Sequence, residues 1–122
     1  MRTPTEVFEE HLRLRAEGLL EEDIQRNYSD DVVLLTSNSD LVGHDAIRTS
    51  ASRLAEQLPD AQVTFLSKRV HGHYAFLVWE GRSPNLNAIS GADSFLIQDG
   101  KIVFQSIHYL LVKDTPAEVP AS

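Results

Sequence analysis

Gly91-Ala92-Asp93-Ser94-Phe95-Leu96-Ile97-Gln98-Asp99-Gly100-Lys101-Ile102 is the stretch that decides the fold. A tight turn at Gln98-Asp99-Gly100 joins two runs that read as long strands, Leu86 to Ile97 and Lys101 to Val112. Asp and Gly suit such a turn because they tolerate the positive φ it demands. Working upstream, the loop Ser83-Pro84-Asn85 leads back to a strand from Tyr74 to Arg82. The turn His71-Gly72-His73 leads back again to a strand from Val63 to Val70. Before Asp60 the pattern changes to helices. Ile47, Ala51, Leu54 and Leu58 form one apolar stripe over Ala46 to Leu58, which Pro59 stops. Thr3 caps a first helix with Pro4 at its first position and Glu6 three residues after the cap, and Gly18 ends it. A short second helix carries Leu20, Ile24 and Tyr28 at four-residue spacing behind an acidic start. Between the second and third helices, Ser29-Asp30-Asp31 reads as a turn, Val32 to Leu35 as a buried strand and Ser37 to Asp40 as a polar loop. Three helices followed by a meander of four strands is the α+β pattern.

The bulk properties narrow the function classes. With 122 residues the chain fits one domain, expected over residues 1–113 with a frayed tail over 114–122 around Pro116 and Pro120. A chain this long buries roughly two thirds of its unfolded surface and needs no staple. It has no cysteine, which removes thiol catalysis, thiolate metal sites and disulfides, and suits a reducing cytoplasm. Net charge is −7, from 11 basic and 18 acidic residues without a basic cluster, so nucleic acid is not an expected partner. The apolar runs Val32 to Leu35 and Ala75 to Trp79 are far too short to span a membrane. Neither a phosphate-binding glycine loop, a Gly-x-Ser-x-Gly elbow nor a His-Glu-x-x-His motif occurs, and no metal or cofactor is expected.

Tyr28-Ser29-Asp30-Asp31-Val32, then Gly43-His44-Asp45-Ala46-Ile47 opening a long helix, then Asp93-Ser94-Phe95-Leu96-Ile97, Asp99-Gly100-Lys101-Ile102 and His108-Tyr109, come in a characteristic order. This order resembles nuclear transport factor 2-like proteins, closest to the SnoaL-like and ketosteroid-isomerase-like branch, over roughly residues 4 to 112. The resemblance implies three helices packed on a strongly curved, mainly antiparallel mixed sheet that forms a cone-shaped pocket. The superfamily includes isomerases, cyclases, dehydratases, epoxide hydrolases and non-enzymatic binders, so fold alone assigns no chemistry. By the spacing of the ketosteroid isomerases, the oxyanion-hole aspartate falls on Asp93 and the partner tyrosine's place is taken by His11. The proton-shuttling base falls on Thr36, which cannot act as a base at neutral pH. Asp40, on the polar loop, is not a substitute.

Asp93 is the leading site residue. Pointed into a dry pocket, its carboxyl would hold its proton more tightly and could donate it. The plain alternative is a solvated strand aspartate or one paired with Arg82. His108 and Tyr109 face opposite ways on their strand, and the turn chooses between them. A two-residue turn pairs Ile97 with Ile102 and sets His108 beside Asp93. A three-residue turn with Gly100 as a bulge pairs Ile97 with Lys101 and sets Tyr109 there, the arrangement usual in the family. His11 is either a hydrogen-bonded core histidine or a ligand contact. Tyr28, Phe65, Trp79 and Phe95 would give the pocket an aromatic lining, although core packing is the default for each. Trp79 and Phe76 have opposite parity, so each face of their strand carries an aromatic ring. His71 and His73 read as exposed turn residues, His44 as a surface residue, and Gly81 and Gly91 as bends in a curved sheet.

Two classes of function follow. One is a small cofactor-free isomerase, cyclase or dehydratase acting on a small apolar oxygenated molecule by proton transfer from Asp93 with Tyr109, His108 or His11. The other is a non-catalytic small-molecule binder or a homodimeric interaction domain joined through the outer sheet face, as the resemblance implies.

Overall fold

The Asp99-Gly100 turn closes with both residues left-handed, at φ 52° and 75°, pairing Gln98 with Lys101 and Ile97 with Ile102. The structure is a computed structural model describing residues 1–113, so the tail expected from Asp114 lies outside the described residues. The elements are α1 (Pro4–Ala16), α2 (Leu20–Asn27), β1 (Tyr28–Thr36), β2 (Asp40–Val42), α3 (His44–Gln57), β3 (Gln62–His71), β4 (Tyr74–Arg82), β5 (Asn87–Gln98) and β6 (Lys101–Val112).

The six strands form one open sheet in the order β2-β1-β6-β5-β4-β3. Every neighbouring pair is antiparallel except β1 with β6, which run parallel. The three helices pack on this mixed sheet. In α1, the Thr3 side chain accepts from the Glu6 amide while the Glu6 carboxylate accepts from the Thr3 amide, the reciprocal cap the sequence announces. The buried face of α1 is Val7, Phe8, His11, Leu12 and Leu14. With Ile24, Leu34, Phe95, Ile97 and Ile102 it builds the core between helices and sheet.

Three expectations for the N-terminal half change. Tyr28 does not continue α2 but is already extended, at φ −105° and ψ 138°, and opens β1. Pairing with Ile102 there places its ring under the helices instead of on one. Ser29-Asp30-Asp31 is not a turn but a bulged part of β1, since Tyr28 pairs with Ile102 and Val33 with Phe104. Four residues, Ser29 to Val32, stand opposite Val103 alone on β6, so the acidic ones loop out of the ladder. Asp40 belongs to a short edge strand, with Thr36 and Ser39 closing the turn through a 2.9 Å backbone bond.

Bulges curve the sheet. Ile89 pairs with Leu110 and Ala92 with His108, which leaves one extra residue in β5 at Ser90, held at φ 55°. A second sits in β3 at Leu66 and a third in β6 at Val103. Each adds local twist and bends its strand. No helix among the described residues is long and apolar enough to cross a membrane.

Candidate functional site

Between α1, α3 and the concave side of the sheet lies a cavity of about 260 Å³. Leu12, Ile47, Leu54, Leu77 and Ile107 give it apolar walls, while His11, Arg15, Tyr28, Asp93, Gln105 and Tyr109 are among the residues that bring polar groups to it, with the Trp79 indole beside them. The stripe of α3 recognised in sequence, Ile47, Ala51 and Leu54, faces this space. Ala16 and Val63 also line it and are exposed, which puts the mouth beside the end of α1.

Asp93 stands at the inner wall, only 8 % exposed, because β5 turns Gly91, Asp93, Phe95 and Ile97 to the same side. Trp79 crosses over from β4 and lies against Gly91. A Cβ on residue 91 would come 2.5 Å from the indole carbons, so only glycine lets the ring settle there. In that position the indole Nε1 donates to Asp93 Oδ1 at 2.9 Å. From β6, Gln105 Nε2 donates to Oδ2 at 3.0 Å. The Tyr28 hydroxyl donates in turn to Gln105 Oε1. Desolvation outweighs both donors at the carboxyl and pushes its pKa up to about 6. The Tyr28 hydroxyl, fully buried, is raised well above its ordinary range for the same reason. The sequence alternative of an Asp93–Arg82 pair does not occur, as Arg82 is exposed and nearest Glu80.

His11 lines the same cavity from α1 and is 3 % exposed. Its Nδ1 is 2.7 Å from Asp23 Oδ2, and Asn27 Nδ2 donates to Asp23 Oδ1 at 2.8 Å. A carboxylate on Nδ1 fixes the proton there, which leaves Nε2 as the acceptor of the neutral ring. Among the described residues Nε2 has no hydrogen-bond partner. The imidazole packs edge-on against Tyr28 and Phe95, at centroid distances of 5.7 and 5.3 Å.

Tyr109 lies on Asp93's side of the sheet, but not through the turn that the family pattern implied. The turn has two residues, and Val103 is the extra residue that shifts the register. Asp93 consequently pairs with Ile107, and Gln105, Ile107 and Tyr109 share the inward side. The Tyr109 hydroxyl donates to Gln57 Oε1 on α3 at 2.5 Å, and its ring sits 5.5 Å from Trp79. His108 is exposed on the opposite face. Of the four aromatic candidates, Tyr28, Phe65 and Trp79 line the cavity. Phe95 does not. It is 2 % exposed and packs edge-on against Phe8 at 5.3 Å, below His11 in the core. Thr36 lies outside the cavity, its hydroxyl 2.7 Å from that of Ser39, and Asp40 is exposed. His44 is half-buried instead of on the surface, with Nε2 3.1 Å from the Tyr28 carbonyl. His71 and His73 are exposed. Among the described residues, no three His, Asp or Glu side chains gather into a metal site.

Gln105, Asp23 and Arg15 complete the site and were not singled out from sequence. The Val103 bulge hides Gln105 from any two-residue count along β6. Asp23 had a visible signal, its i,i+4 spacing from Asn27 on α2.

Residues 8–105 match the family model for the SnoaL-like domain. Solved structures share the fold at low identity. One is a candidate SnoaL-like polyketide cyclase from Mesorhizobium loti, 15 % identical with TM-score 0.67 over 88 % of this chain and all of its own. A candidate ketosteroid isomerase from Kribbella flavida is 14 % identical with TM-score 0.70 over 93 % of this chain and 82 % of its own. A nuclear transport factor 2-like protein of unknown function from Burkholderia xenovorans is 15 % identical with TM-score 0.70, covering 93 % and 88 %. No curated protein matches the chain. With the family model spanning most of its length, the chain belongs to the SnoaL-like domain family, and its helices and open mixed sheet share the fold of nuclear transport factor 2-like proteins.

Proposed function

We propose that the cavity takes up a small, largely apolar, oxygenated molecule and moves a proton on it without a cofactor, with Asp93 and His11 as the two proton-handling groups. The observation that carries this is a buried carboxyl, held by Trp79 and Gln105, whose pKa near 6 lets it hold or release a proton close to neutrality. His11 offers an acceptor nitrogen on the same cavity, oriented by the Asp23 carboxylate. That pair answers the loss of a base at Thr36. His11 Nε2 takes a proton from carbon next to a carbonyl, while protonated Asp93 donates to the oxygen on which charge develops. Isomerisation, cyclisation and dehydration all fit this exchange. Two of the compared structures, a candidate polyketide cyclase and a candidate ketosteroid isomerase, are in keeping with it.

The test is a thermal-shift screen of lipophilic ketones, phenols and acids on wild type and Asp93→Asn. Saturable stabilisation of wild type that weakens in the variant is the expected result. Equal stabilisation of both proteins removes Asp93 from the site, and no stabilisation by any class removes the cavity reading.

A second reading concerns assembly. Leu35, Tyr74, Phe76 and Leu110 stand exposed on the outer sheet face, an arrangement that favours a homodimer joined there.

A further inference from the structure

The walls of the cavity contain a cation that the proton-transfer reading does not use. Arg15 lies one turn beyond His11 on α1, so the two share a face of the helix and both line the cavity. The chain has 18 acidic residues against 11 basic ones, and five of its eight arginines have a carboxylate within 4.0 Å among the described residues. Arg13 pairs with Glu17, Arg26 with Glu10, and Arg48 with Glu21 and Asp45. Arg15 has no carboxylate within 4.0 Å and no side-chain hydrogen bond among the described residues. Its place in the last turn of α1 complements the helix dipole. The dipole explains a cation at that end but not one turned to a cavity wall beside the exposed Ala16 at the mouth.

We infer that Arg15 anchors a carboxylate on the bound molecule, so that the substrates of this site are small apolar carboxylic acids. A guanidinium presents two parallel N–H donors that match a carboxylate, a geometry that neither a ketone nor a phenol can fill. Held at the mouth, the acid group directs the carbon frame inward past Leu12 and Leu54 toward Asp93 and Trp79. The charged end stays near water and the apolar end fills the dry part of the cavity. Arg15 also acts on the inner groups, since its charge favours the ionised forms of Asp93 and Tyr28. A carboxylate paired with it neutralises that influence and leaves Asp93 better able to keep its proton for donation. This inference rests on the cavity reading of the preceding subsection and goes further by naming the chemical class.

The experiment is titration calorimetry with 2-naphthoate and its neutral isostere 2-naphthamide on wild type, Arg15→Gln, Arg15→Lys and Arg13→Gln. Wild type is expected to favour the carboxylate. Arg15→Gln should weaken it by about tenfold or more while leaving the amide within about twofold, as a lost charge-assisted pair requires. Arg15→Lys keeps the charge without the fork and should fall between. Arg13→Gln changes net charge equally on the solvent side and should match wild type. If wild type binds the amide as well as the carboxylate, or if the Arg13 and Arg15 variants behave alike, the anchor is wrong and the cavity reading stands. If neither compound binds wild type, both readings fall.

Discussion

Asp93 is a carboxyl whose burial works against its charge, and this has a measurable consequence for stability. Folding raises its pKa from the ordinary 3.8 to about 6, so the folded state holds a proton that the unfolded chain releases. Its contribution is therefore most favourable below about pH 4 and is lost as pH rises through about 6. The difference amounts to up to about 3 kcal/mol. The groups facing it are His11 and Arg15 from α1, Tyr28 from β1, Trp79 from β4, and Gln105 and Tyr109 from β6. All of these are common to wild type and Asp93→Asn. Subtracting the two denaturant-unfolding profiles between pH 4.5 and 7.5 thus isolates the carboxyl, as an order-of-magnitude window set by that shift. Wild type should lose stability relative to the variant across that window. A flat difference would mean that Asp93 is ionised throughout and hydrated, which contradicts its place in the wall. At this scale the sequence was informative about Asp93 and His11, whose residue types are out of place among apolar neighbours. It was silent on Gln105, since an uncharged amide on a strand gives no such contrast.

At the scale of elements, bulges decide which side chains meet. Two-residue alternation assigns one face correctly along the upper part of β5, where Gly91, Asp93, Phe95 and Ile97 all turn inward. On β6 the same rule fails across Val103, and Ile102 and Gln105 both point inward although three positions apart. The Asp99-Gly100 turn was legible, but the bulge three residues later has no local marker, because Val103 is an ordinary strand residue. The Ser90 bulge is partly legible through Gly91, which the sequence marks as a bend. The structure adds its second purpose, a seat for the Trp79 indole. Gly91→Ala tests this coupling. The new methyl cannot coexist with indole carbons 2.5 Å away, and the opposing backbone leaves the ring nowhere to go but outward. We expect a loss of about 1–3 kcal/mol from overpacking. Because Trp79 is the only tryptophan, its emission should shift to the red as the ring leaves its pocket and its bond to Asp93. Unchanged emission and stability would show that the ring does not rest on this glycine.

For the whole molecule, the order of helices and strands was enough to give an α+β architecture, since the helical stripes all fall before Asp60 and the four long strand runs after it, with only the short strand at Val32 to Leu35 set among the helices. The parallel pairing of β1 with β6 was not readable, because its partners lie about seventy residues apart and only the closed core chooses between them. The outer sheet face poses a question of the same size. Across its middle runs a row formed by Phe76 on β4, Ser94 on β5, Ser106 on β6 and Leu35 on β1. The large residues of that row are 41 % exposed at each end, and the small ones between them leave it level. A second copy placed about a two-fold axis would set each Phe76 against the partner's sheet, so every contact there is made twice. Phe76→Lys places two buried charges in such an interface and, one charge per copy, leaves the monomer's core untouched. By sedimentation, wild type should have twice the chain's mass and Phe76→Lys the mass of one chain, with the same far-ultraviolet circular dichroism. A wild type that stays monomeric at high concentration ends the dimer reading. A variant that stays dimeric moves the contact elsewhere, because an interface of roughly 1,000 Å² does not bury two unpaired ammonium groups.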